Sequence, residues 1–198
     1  MGKKRREERR REHEDFAVEN KKIKRKNSLM ATGILGAIAA IIGYSIFIFM
    51  TAGVDAPGTP PGAGLLGDEH EHASLLVKIF GDTFDFSVPS YQIKSSWIHF
   101  EQSDGTTLHR HASGIELGYL FDGLRIGIDS ECFIFPDGRQ FCTNEDYSLR
   151  YFINHQHVDD IRDYVFEDGD RILILYGSES SEQVEAYLSE LDSQLIKG

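Results

Sequence analysis

The chain has 198 residues, 40% of them hydrophobic and 27% charged, which is room for one globular domain. Its two cysteines are too few for a disulfide-dense scaffold or a four-thiolate zinc site. Charge divides the chain: residues 1–28 carry 12 Lys/Arg against 6 Asp/Glu, residues 29–50 carry none, and residues 51–198 carry 9 against 26, an excess of −17 that repels phosphate backbones, argues against nucleic-acid binding and suits cations.

Residues 29–50, LMATGILGAIAAIIGYSIFIFM, form an uncharged run of 22 residues. As a helix the run extends roughly 33 Å, the thickness of a bilayer core. A soluble domain of this size cannot enclose such a helix on all sides. The apolar part of a cleaved signal peptide is shorter, about 7–15 residues. The expectation is therefore a single-pass signal anchor. Lys21, Lys22, Lys24, Arg25 and Lys26 precede the run, and the next basic residue is Lys78. The positive-inside rule then puts the N-terminus in the cytoplasm and residues 51–198 outside the cell membrane. The basic segment 1–28 reads as a charged, topology-setting piece drawn to anionic lipid. Residues 51–69 are rich in Gly, Pro and Ala and read as a tether.

Residues 70–198 are the outer domain. Strands are expected at 74–80 and 83–86, turned at Gly81-Asp82, and at 97–100 and 107–111. Leu117, Leu120, Phe121 and Leu124 have helical spacing. Residues 131–135 and 140–143 flank a Pro136-Asp137-Gly138-Arg139 turn. Strands follow at 149–154 and 171–176, the latter apolar on both faces as a central strand is. Ser180-x-x-Gln183 is a capping-box pattern. It opens a last helix carrying Val184, Tyr187, Leu188, Leu191 and Leu195 on one side. The whole describes an α+β domain with a mostly antiparallel sheet and a C-terminal helix.

Seven of the eight histidines follow the apolar run, and six of these form three His-x-His pairs: His70/His72, His109/His111 and His155/His157. Residues i and i+2 of a strand point to one face, so each pair offers two imidazoles to one cation. His109 and His111 read as the centre of a Cu²⁺ or Zn²⁺ site, with His99, His70 and His72 as further ligands. Glu116, His155 and His157 rank lower. Glu69, Glu71 and Glu101 are acidic neighbours able to ligate or to accept a ring N–H. The methionines are Met1, Met30 and Met50, which leaves the outer domain without a thioether for Cu(I). Cys132 and Cys142 flank the PDGR turn and can face each other across a hairpin with Cα atoms about 5.5 Å apart, as a structural disulfide. Glu131, Asp137, Glu145 and Asp146 make a poor field for a reactive thiolate.

Three stretches resemble known families. The segment SLRYFINHQHVDDIRDYVFEDGDRILILYG is similar to the closing strands of β-grasp proteins, where a DGD turn leads into a central strand. His109-x-His111-x4-Glu116-x6-Gly123 is similar to the first cupin motif. However, Ser103 stands where that motif has Gly, no His lies near Phe141, and residues 117–124 read as helix. The wider stretch from HEHASLLVKIFGDTFDF through ECFIFPDGRQFCTNEDYSL resembles a group of archaeal single-pass membrane proteins catalogued as protein-disulfide isomerases. That resemblance implies thiol–disulfide chemistry at Cys132 and Cys142, although the chain has no Cys-x-x-Cys. The residues themselves point first to a membrane-anchored domain that binds a divalent metal beside another membrane or cell-surface protein. Thiol–disulfide exchange and a metal-free interaction module are the alternatives.

Overall fold

The computed structural model of the chain describes residues 2–51 and 58–198, which belong to two units. The first is one continuous helix, α1 (Gly2–Thr51). It runs unbroken from the basic segment into the apolar run. Its stretch Val18–Ile48 is long and apolar enough to cross a membrane, and none of its most apolar window is buried against protein.

The second unit is the C-terminal domain. Its strands are β1 (Glu71–Ile79), β2 (Asp82–Thr83), β3 (Ile98–His99), β4 (Thr107–Arg110), β5 (Gly127–Ile128), β6 (Cys132–Ile134), β7 (Gln140–Cys142), β8 (Ser148–Ile153), β9 (Gln156–Val158) and β10 (Arg171–Gly177). Its helices are α2 (Leu117–Leu124) and α3 (Ser181–Ser193). Among the described residues, the larger sheet has the order β3-β4-β1-β10-β8-β9, with β2 paired to the far end of β1. The β1–β10 pair is parallel, with Ser74 opposite Arg171 and Ile79 opposite Tyr176, and the other pairs are antiparallel. A smaller sheet joins β5, β6 and β7.

Both faces of the central strands are covered. Leu75 and Val77 of β1 join Ile172 and Ile174 of β10 in the main core, with Leu117, Leu120, Phe121 and Leu124 of α2. Leu76, Leu173 and Leu175 face the other way, against Val184, Leu188 and Leu191 of α3. The sequence showed only the Leu75/Val77 side of β1. Its other side carries Ser74 and Lys78, polar residues buried because each has a partner. The Lys78 ammonium donates to Thr83 Oγ1 at 2.7 Å and pairs with Glu190 at 2.8 Å.

The capping box forms: Ser180 Oγ accepts from the Gln183 N–H, and the Gln183 side chain accepts from the Ser180 N–H. Leu195 leaves the expected stripe, because α3 ends at Ser193 and the side chain is 79% exposed. The first hairpin turns at Phe80-Gly81, one residue before the expected position, with φ of 52° and 85°. Both central residues of such a two-residue turn need positive φ, which glycine supplies freely. Residues 52–57 of the expected tether lie outside the described residues. The later part is attached to the domain: Ala63 is buried, Gly64 donates to the Ser113 carbonyl, and Asp68 accepts from the Ser113 N–H and hydroxyl.

Cys132 and Cys142 are disulfide-bonded and stand directly opposite each other in the β6–β7 pair. Their Cα atoms are 4.1 Å apart, closer than the expected 5.5 Å. The shorter spacing belongs to a pair whose own N–H and C=O groups do not bond to each other. Here the flanking bond runs from the Thr143 N–H to the Glu131 carbonyl.

Candidate metal centre

The site follows from register. In the β1–β4 pair His72 lies opposite His109, and in the β3–β4 pair His99 lies opposite His109. One row across three adjacent strands is therefore His99–His109–His72. Because side chains alternate, His70 and His111 lie on the same face, one step further along. This face continues the one that α3 covers. Beyond α3 the chain passes over it: Ser74 Oγ donates to Gln194 Oε1 at 2.6 Å, the Lys197 N–H donates to Thr107 Oγ1, and Gly198 lies against the His72 ring.

Five imidazoles thus meet. Ring centroids are 4.7 Å apart for His70/His72, 4.8 Å for His72/His109, 4.4 Å for His70/His111 and 5.0 Å for His99/His111. Within this group, one ligand atom each from His70, His72 and His109 lies within 4.8 Å of the others. A modest side-chain adjustment would bring three nitrogens to the about 2.0–2.1 Å that zinc requires.

Partners decide which nitrogen is free. The His72 Nδ1 faces Asp168 Oδ1 at 3.4 Å, while its Nε2 is buried and has no hydrogen-bond partner. A ring proton on Nδ1 toward a carboxylate leaves a lone pair on Nε2, the arrangement usual behind a metal-bound imidazole. His109 Nδ1 is also buried without a partner, and His109 Nε2 lies 3.9 Å from Glu101 Oε1. His99 Nδ1 donates to the Ser95 carbonyl at 2.7 Å, so the lone pair of the neutral ring is on Nε2. An unpartnered buried polar atom costs about 1–3 kcal/mol, and a bound cation would offset it.

The electrostatics favour neutral rings. Burial, with the neighbouring histidines, pushes His109 down to about 4 although Glu101 opposes the shift. Burial and the nearby His99 and His70 lower His111 too. Neutral imidazole is the form that ligates.

The other candidates lie elsewhere. His155 is the second residue of the Asn154-His155 hairpin turn, with φ of 69°, and its Nε2 faces Asp192 at 3.0 Å. His157, in β9 at the sheet edge opposite β3, packs on Phe152 of β8. The spacing of strands puts that edge about 15 Å from β1. Glu116 is exposed at the N-cap of α2, which packs on the opposite face of the sheet. Glu69 is committed to the buried Arg110. The segment 117–124 is helix, where the cupin motif needs strand. Asp168, which faces His72 across 96 residues of sequence, had no local signal. Only the pairing of β1 with the start of β10 brings it there.

No protein-family model, no curated protein and no solved structure matches the chain.

Proposed function

We propose that this chain is a membrane-anchored domain that holds a divalent transition metal, Zn²⁺ or Cu²⁺, on its histidine face. The observation that carries this reading is the convergence of His70, His72 and His109, with the buried His72 Nε2 lacking any other partner. All-nitrogen ligands with carboxylates nearby suit Zn²⁺ and Cu²⁺ rather than Cu(I) or Ca²⁺. In this proposal α1 spans the cell membrane, the N-terminus is cytoplasmic and the domain lies outside, in the service of another membrane or surface protein. The run of basic residues before the apolar stretch supports that orientation. The parallel central pair β1–β10, flanked by antiparallel strands with α2 on one face, supports the β-grasp-like reading of the domain.

The test is metal content. The full chain, purified in detergent and given Zn²⁺ or Cu²⁺, should retain metal after desalting. His72→Ala and the more conservative His70→Ala should each lower affinity at least tenfold. Equal binding by wild type and both variants would make these histidines ordinary surface residues. A second reading, thiol–disulfide exchange, would use the Cys132–Cys142 bond.

A further inference from the structure

The pattern that makes the candidate centre occurs twice. At the start of β1 it is a His-x-His pair, His70 just before the strand and His72 within it, with His109 directly opposite His72. At the end of β4 it is again a His-x-His pair, His109 within the strand and His111 just after it, with His99 directly opposite His109. The two sets stand side by side on one face and meet at His109. Their dimensions agree: ring centroids in the first set are 4.7, 4.8 and 6.3 Å apart, and in the second 5.0, 6.0 and 6.4 Å.

In the second set a carboxylate faces two of the rings, whereas Asp168 meets only His72 in the first. Glu101 directs Oε2 at His99 Nε2, 3.4 Å away, and Oε1 at His109 Nε2, 3.9 Å away. The Ser95 carbonyl fixes the His99 proton on Nδ1. A neutral His99 therefore presents a lone pair to a carboxylate oxygen, acceptor against acceptor, at only 7% exposure of the residue. Such a pair is stable with a cation between its members: either a proton or a metal ion. Two ligand atoms on one tetrahedral zinc stand roughly 3.4 Å apart, given Zn–N and Zn–O lengths of about 2.0–2.1 Å. The His99–Glu101 separation already has that value.

We propose that the histidine face holds two divalent cations: one on His70, His72 and His109, and a second on His99, His111 and Glu101. This deepens the metal-binding reading and rests on it. Adjacent strands are about 4.8 Å apart, so the two ions sit on the order of 5 Å from each other. They repel, and the second binds more weakly than the first. Glu101 beside one position and Asp168 behind His72 beside the other supply the negative charge that makes joint occupancy tolerable. Imidazole with carboxylate selects Zn²⁺-class ions for the second position.

The experiment is a calorimetric titration of the full chain in detergent with Zn²⁺ alone. Wild type should bind two equivalents. Glu101→Gln, at a side chain 30% exposed and thus tolerant of change, should bind one tightly, with the other weakened at least tenfold. His70→Ala should bind one, held by the Glu101 set. A wild type that binds one equivalent overturns the second position. If that single equivalent is lost in His70→Ala and unchanged in Glu101→Gln, the three-histidine reading stands while this one fails. A wild type that binds none overturns both.

Discussion

His109 is the residue on which the candidate centre turns. It is 5% exposed, lies between His72 and His99 in register, and is held neutral, its ionisation pushed down to about 4 chiefly by burial. In an unfolded chain the same ring titrates near 6.5. Between these values the unfolded state binds the extra proton, so stability rises with pH across that window. The metal-free protein should therefore lose stability as pH falls from about 6.5 toward 4, by on the order of 2 kcal/mol from this residue, and little more below 4. Urea titrations at pH 7.5 and 4.5 read the difference, and His109→Phe should shrink it. An equal loss in that variant would assign the effect to other groups. His155 gives the contrast. It takes a left-handed turn conformation suited to glycine, and its partner Asp192 is about half exposed. His155→Gly should stabilise the domain by about 0.5–1 kcal/mol and leave metal binding unchanged. Reduced metal binding would return His155 to the ligand set.

Elements were legible where one pattern sufficed. The helical spacing of Leu117, Leu120, Phe121 and Leu124 gives the bounds of α2, and Ser180-x-x-Gln183 gives the start of α3. Ser180→Ala should cost about 1 kcal/mol and fray that end, visible as faster amide exchange over the first turn of α3; unchanged exchange there would mean that packing alone holds it. What depended on distant partners was hidden. β9 is short, polar and exposed at an edge, and its strand character comes from pairing with β8. The His-x-His pairs were visible by their period of two, yet nothing local says that His72 meets His109 rather than a neighbour. A register slip of one residue would send His109 to the opposite face. Glu101 and Glu116 look alike in sequence, and only the fold sends one to the histidines and the other away. The β6–β7 hairpin was readable from its turn and its two cysteines. Reducing Cys132–Cys142 should lower stability by about 2–3 kcal/mol. Turnover of a scrambled-disulfide substrate, abolished by Cys132→Ser, would instead favour the thiol–disulfide reading.

At the scale of the whole molecule, the proposal that α1 crosses the membrane with the domain outside makes its own prediction. Protease added to intact cells should remove an epitope tag placed in the domain and leave α1 protected; a tag protected on intact cells would reverse the orientation. The sheet adds a constraint on how such a molecule is made. Its central pair joins Ser74 to Arg171 and Ile79 to Tyr176, so the first strand of the domain waits for the last. Domains dominated by such distant pairings fold slowly. A chain that passes through a membrane N-terminal part first would deliver His70 and His72 well before β10 arrives to brace the other edge of β1. In that interval two thiols and five clustered histidines are exposed on an incomplete sheet, free to pair wrongly or to take up the wrong ion. With metal binding as proposed, maturation is a race between disulfide formation, metal capture and completion of β10, and slowing translation after residue 160 would favour the misassembled products.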